Sequence, residues 1–108
     1  GAADEAAQAY RAAIAHNPQH VEAHVNLGIL LAAQGQYTAA IAEYRQAQAI
    51  APNRFEPYFN LAAALAAQGQ HEPAAAALQR VLELKPDFTP ARQALEALRR
   101  QREKPAEP

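Results

Sequence analysis

The residues best able to do chemistry in this chain are four histidines, His16, His20, His24 and His71. His20 and His24 are four apart, the helical spacing at which two imidazoles face one way and can ligate one metal ion. Pro18 beside His20 places that residue in a turn, and His24 falls where an aromatic core residue belongs. Both are therefore expected to pack or to face water rather than to hold a metal. There is no cysteine, which excludes disulfides, thiolate zinc sites and a cysteine nucleophile. There is no serine either, and Thr38 and Thr89 are the only aliphatic hydroxyls. Carboxylates such as Asp4 and Glu5 are scattered, with no helix-spaced acid pair beside a base. The glycines stand singly, so no phosphate-cradling loop is present. The expectation is a protein without catalysis, cofactor or metal.

Charge excludes further classes. The 108 residues carry a formal charge of −1, which is no electrostatic footprint for nucleic acid. Arg99-Arg100-Gln101-Arg102 is a short basic run without interleaved aromatics, and favourable charge at a helix C-terminus explains it. No apolar run approaches the roughly 20 residues needed to span a bilayer. Neither a nucleic-acid nor a membrane partner is expected. Abundant Ala, Pro and Arg point to a bacterial coding sequence. A cytoplasmic location is favoured, or the bacterial periplasm if a targeting segment has been removed.

The elements that must position these residues are helices. Thirty of the 108 residues are alanine, leaving 24 larger apolar ones. That is thin for one compact core, but it suits helices that approach closely. The chain also repeats itself. Pro18, Pro52 and Pro86 stand 34 apart, as do Gly35 and Gly69. Asn26-Leu27-Gly28 recurs as Asn60-Leu61-Ala62, and Ala32-Ala33-Gln34-Gly35-Gln36 as Ala66-Ala67-Gln68-Gly69-Gln70. Each unit reads as a helix stopped by glycine and a second stopped by proline. The expected helices cover residues 2–16, 22–34, 38–49, 57–68, 72–84 and 90–102. Pro57 and Pro73 are placed in first turns, where the missing N–H had no partner.

This pattern resembles the tetratricopeptide repeat. From Val21 the family positions read His24, Leu27, Gly28, Leu31, Ala40, Tyr44, Ala47 and Pro52. From Phe55 they read Tyr58, Leu61, Ala62, Leu65, Ala74, Leu78, Val81 and Pro86. His24 at an aromatic site and Ala62 at a glycine site depart from it. The resemblance implies an all-α solenoid of antiparallel helix pairs over 1–102. Its parts are the second helix of a partial repeat (1–20), two repeats (21–54 and 55–88) and a capping helix (89–102). Residues 103–108 are expected to be a disordered tail.

The resemblance also implies a binding function. In the family the first helices line a concave groove, whose positions here are filled by Glu22, Val25, Asn26, Ile29, Glu56, Phe59, Asn60, Ala63, Gln93 and Arg100. Val25, Ile29 and Phe59 are apolar where the core of a repeat needs no large residue, which marks a partner site. Asn26 and Asn60 are similar to rungs of the asparagine ladder in O-linked N-acetylglucosamine transferases, where amides hold a peptide backbone. The carboxylate clamp of chaperone-binding members needs groove cations, and Val25, Phe59 and Gln93 stand in their places, with Arg100 the only cation. The leading expectation is an interaction module that takes a peptide or helix of a protein partner in this groove. The alternative is a structural segment that docks in a larger assembly or forms a weak homodimer through Ala3, Ala7, Tyr10 and Ile14 of the first helix.

Overall fold

The computed structural model describes residues 1–103. Among these it holds helices α1 Ala2–His16, α2 Val21–Ala33, α3 Tyr37–Ile50, α4 Phe55–Ala67, α5 His71–Leu84 and α6 Thr89–Glu103, and no strand. Each helix packs chiefly on its neighbours in sequence, with a lighter contact between α2 and α4. The molecule measures 51 × 32 × 18 Å with a radius of gyration of 15.0 Å. A compact domain of this length would have about 13 Å. Burial is therefore spread along a stack.

Two kinds of turn, each used repeatedly, produce this path. Gly35 and Gly69 both have φ of 77°, a left-handed conformation that glycine adopts without a Cβ penalty. Behind each glycine, Gln36 N donates to Leu31 O and Gln70 N to Leu65 O, both at 2.9 Å. These bonds close a Schellman motif that satisfies carbonyls left over at the helix end. The other turns follow Asn17, Ala51 and Lys85, whose backbones have left the helical region (φ −140°, −133° and −142°). Each precedes a proline, which disfavours helical geometry in the residue before it.

A side-chain tie fixes these proline turns. The His24 Nε2 lies 2.9 Å from the Pro18 carbonyl, the Tyr58 hydroxyl donates to the Pro52 carbonyl at 3.0 Å, and Arg92 Nη2 donates to the Pro86 carbonyl at 2.8 Å. The three donors stand 34 residues apart. The position thus demands a donor that reaches six residues back, and aromatic character is secondary. His24 is buried and also meets the Glu43 carboxylate through Nδ1 at 2.8 Å. His20 serves the turn differently, its Nδ1 accepting from Ala23 N at 3.1 Å as the cap of α2.

The core is built from small residues where helices cross and large ones between. Ala40, Ala47, Ala74 and Ala91 are wholly buried, interleaved with Leu27, Leu31, Leu61, Leu65, Leu78 and Val81. Gly28 and Tyr44 form a complementary pair. A Cβ built on Gly28 would stand 2.8 Å from Cδ1 of Tyr44, 3.0 Å from Cζ, and closer still to Cε1. One repeat later the corresponding positions are Ala62 and Leu78, both buried, so the departure from glycine is matched by a smaller side chain in place of the tyrosine.

Some boundaries differ from expectation. Helix α4 begins at Phe55, two residues earlier than expected. Pro57 is its third residue rather than its first, and every N–H of a first turn lacks an intrahelical partner. Helix α6 runs to Glu103, so that residue is helical rather than part of a tail. The rest of the expected tail, 104–108, lies outside the described residues.

Candidate functional site

The first helices of successive units, α2, α4 and α6, leave two cavities between them. One, of about 360 Å³, is walled by Ile29 and Ala32 of α2, Tyr37 and Tyr44 of α3, and Asn60, Ala63, Ala64 and Ala67 of α4. The other, of about 320 Å³, is walled by Phe59, Ala62, Ala63 and Ala66 of α4, His71 and Leu78 of α5, and Ala94, Ala97, Leu98 and Gln101 of α6. Adding 34 to every residue of the first wall yields a residue of the second: Ile29 maps to Ala63, Ala32 to Ala66, Tyr37 to His71, Tyr44 to Leu78, Asn60 to Ala94, Ala63 to Ala97, Ala64 to Leu98 and Ala67 to Gln101. The two cavities are one site repeated by the fold. Ala63 belongs to both walls, and its single methyl fills little of the space on that face. Alanine makes this space: it favours helix while filling little of the gap between neighbours.

The expected groove residues divide into those the structure brings together and those it does not. Ile29 is 47% exposed, an apolar side chain standing free at the first cavity. Asn60 is half-buried in the same wall, and Asn26 is exposed. Phe59 lines the second cavity, its ring edge-on to Phe88 at 5.1 Å, and Phe88 lies 4.8 Å from Phe55.

Val25 departs from expectation, for it is only 8% exposed and presents no free surface. The phase of α2 gives its direction, while its burial depends on how neighbouring helices cross α2. Glu22 and Glu56 flank Arg54, which pairs with both, with Nη2 3.3 Å from Glu22 Oε2 and 3.6 Å from Glu56 Oε2. The hydrogen bond from Arg54 holds the Glu22 carboxyl below the usual carboxylate range. These partly exposed pairs join two turns and add little stability. Gln93 and Arg100 are exposed outside both cavity walls, Arg100 lying 3.7 Å from Glu96.

The first helix also differs from expectation. Ala7 is buried, and Tyr10 and Ile14 pack against the core, so of the four residues expected to mediate self-association only Ala3 is exposed. The large side chains of this stripe are drawn toward α2, where they lose more water contact than alanine can.

Sequence reasoning missed the second-helix residues in the walls, Tyr37, Tyr44, His71 and Leu78. A signal existed for two of them: Tyr37 and His71 are ring side chains opening α3 and α5, 34 residues apart. Phe88 was legible as a lone aromatic in the polar turn between Asp87 and Thr89.

Comparison with known proteins follows the same lines. Two family models described as tetratricopeptide repeat match residues 1–55 and 31–99. No curated protein sequence matches the chain. Among solved structures, the first TPR of Spaghetti (RPAP3) bound to the HSP90 peptide SRMEEVD superposes with a TM-score of 0.92 at 23% identity, covering 96% of this chain and 82% of that one. The Yersinia enterocolitica type III secretion chaperone SycD, in complex with a peptide of the translocator YopD, gives 0.88 at 25% identity, covering 94% and 83%. A Thermobaculum terrenum O-GlcNAc transferase gives 0.80 at 32% identity, covering 85% of this chain but 18% of the enzyme.

Proposed function

The chain belongs to the tetratricopeptide repeat family, and from that premise we propose that it is a non-catalytic interaction module that binds a peptide or helix of a protein partner in the groove along α2, α4 and α6. The observation that carries this reading is the repeated cavity. Two apolar seats lie at one-repeat spacing, sharing Ala63 in their walls, with Ile29 exposed at the first. Exposed apolar surface of this kind is costly in water and returns that cost when a partner covers it. Asn26 and Asn60 add amides that can donate to and accept from a peptide backbone without reading its sequence.

The neighbours support the class of function and limit its details. SycD, at 25% identity, carries a peptide of its translocator. The Spaghetti domain, at 23%, supports the fold alone. Its acidic peptide is not carried over, because Val25, Phe59 and Gln93 fill the positions where a carboxylate clamp needs cations. The O-GlcNAc transferase shares only the part that this chain covers, and its activity is not transferred.

The test is selection from a displayed library of random peptides, followed by calorimetry on variants. Ile29→Glu places a charge at an exposed site, so helicity should be unchanged while a selected peptide binds at least about tenfold more weakly, the cost of a charge set against apolar surface. Asn60→Ala should weaken peptides held by their backbone. Unchanged affinity in both variants would remove the groove from the account.

A further inference from the structure

Among the described residues, His24 is the one polar side chain buried in the interior, and both of its ring nitrogens face acceptors. Nδ1 lies 2.8 Å from Glu43 Oε1, and Nε2 lies 2.9 Å from the Pro18 carbonyl oxygen. A carbonyl and an ionised carboxylate can only accept. A neutral imidazole has one N–H, so it serves one of them and turns a lone pair on the other. An imidazolium has two and serves both. The geometry therefore fits a site that carries one proton more than neutral histidine beside a carboxylate. That proton belongs on the ring, because imidazole is the stronger base of the pair. The Glu43 side chain also keeps 24% of its surface in water, which favours its ionised form. The second repeat offers a comparison. There Tyr58 makes the tie to the Pro52 carbonyl, and the position equivalent to Glu43 is Ala77. The third tie is made by Arg92, whose guanidinium is always charged. Only at the first turn does the number of donors change near neutral pH.

We propose that the turn between α1 and α2 is a proton-operated clasp, closed while His24 bridges Glu43 and Pro18 as an imidazolium and loosened when that proton leaves. Helix α1 packs chiefly on α2, so this turn and that one interface hold it. Once the ring is neutral, one acceptor faces a lone pair in a buried site, an arrangement that forfeits a charged hydrogen bond. Loosening lifts Ala7, Tyr10 and Ile14 of α1 from the core they pack on. The closed turn binds a proton that the loosened one releases, so the hold is present on the acid side and weakens as pH rises. Other charged groups on the surrounding elements are engaged elsewhere or exposed. On the α2 side, His20 Nδ1 accepts from Ala23 N and Glu22 pairs with Arg54. Asp4, Glu5, Arg11 and His16 of α1 and Arg45 of α3 are exposed, and Glu56 of α4 pairs with Arg54. The phenols of α1, α3 and α4 are uncharged at neutral pH.

The test is nitrogen NMR of the histidine rings in the whole chain, with amide hydrogen exchange, from about pH 5 to about pH 8. At the acid end both His24 nitrogens should carry protons. As the second ring proton is lost, the protection of Tyr10, Ala13 and Ile14 amides, taken relative to an unstructured chain at the same pH, should fall by about tenfold, the worth of one hydrogen bond. Amides of α3, whose turn is tied by Tyr58, should keep theirs. In Glu43→Gln the carboxamide can donate to Nδ1 while Nε2–H serves Pro18, so a neutral ring suffices. That variant should show one ring proton at neutral pH and protection of α1 that no longer follows pH. His24→Tyr installs the donor of the second repeat and should likewise hold α1 independently of pH, with the circular dichroism of both variants matching the parent. A His24 ring with a single proton at the acid end overturns the clasp, as does a ring that keeps both protons throughout the range. Protection of α1 that ignores the ring's titration, or that falls equally in Glu43→Gln, also overturns it.

Discussion

Gly28→Ala should destabilise this protein, although glycine to alanine inside a helix ordinarily stabilises. The new methyl would lie 2.8 Å from Tyr44 Cδ1 and 3.0 Å from Cζ, with Cε1 nearer still. Tyr44 is 2% exposed, so its ring cannot swing into water. Overpacking of this kind costs about 1–3 kcal/mol. The helix-propensity gain offsets roughly 1 kcal/mol of that. The net expectation is a loss of up to about 2 kcal/mol, and each kcal/mol lowers the melting temperature by roughly 4–8 °C for a domain near this size. The control is already present in the second repeat, where Ala62 accompanies Leu78. In a Tyr44→Leu background the ring is gone, and Gly28→Ala should change sign, stabilising by about 0.5–1 kcal/mol. The coupling between the two sites would then be roughly 0.5–3 kcal/mol, the range for residues in contact. Urea unfolding of the four proteins of this cycle, followed by circular dichroism, measures it. If Gly28→Ala stabilises equally in both backgrounds, helix packing at this crossing does not depend on the glycine and the size-matching argument fails.

Three further outcomes follow from the same geometry. Tyr58→Phe removes the hydroxyl that ties α4 to the Pro52 carbonyl, and should cost about 0.5–1.5 kcal/mol in urea unfolding; no loss would mean that the tie is incidental. Gly69→Ala meets open space but retains a φ of 77°, so backbone strain alone should destabilise it by about 1–2 kcal/mol, with Gly69→Asn intermediate. Burial pushes the Tyr44 phenol up to about 12 from its ordinary 10.0. Because the folded value lies above the unfolded one, this contribution is complete below about pH 10 and is lost as pH rises toward 12, by roughly 2–3 kcal/mol in all. Tyr44→Phe should flatten that part of the alkaline unfolding profile, and an unchanged slope would assign it to other groups.

Much of the fold was legible because its turns are local demands. A glycine at positive φ and a proline that ends a helix act through their own backbones, so Gly35, Gly69, Pro18, Pro52 and Pro86 set six helices in phase. The interior of each repeat was legible for the same reason, since Ala40, Tyr44 and Ala47 follow the period of one helix. The groove was legible in part. Ile29, Phe59, Asn60 and Ala63, expected on one face, line the two cavities, but the outward phase of Val25 did not reveal its burial. Whether a side chain on that face is covered depends on crossing angles between helices. The contribution of α3 and α5 to the cavity floor was hidden likewise, because Tyr37 and His71 reach the groove only when two helices meet across a turn. The tie at His24, Tyr58 and Arg92 was masked by chemistry: three side chains of different class perform one hydrogen bond, so residue similarity does not connect them.

The claim that the groove along α2, α4 and α6 is the binding surface is tested most directly by mapping amide chemical shifts while a library-selected peptide is titrated into the whole chain. The account predicts perturbations concentrated at Ile29, Asn60, Ala63, Ala66 and Ala97, which line the two cavities. Perturbations confined to exposed residues outside both walls, such as Arg45 and Gln46 of α3 and Gln79 and Glu83 of α5, would contradict it.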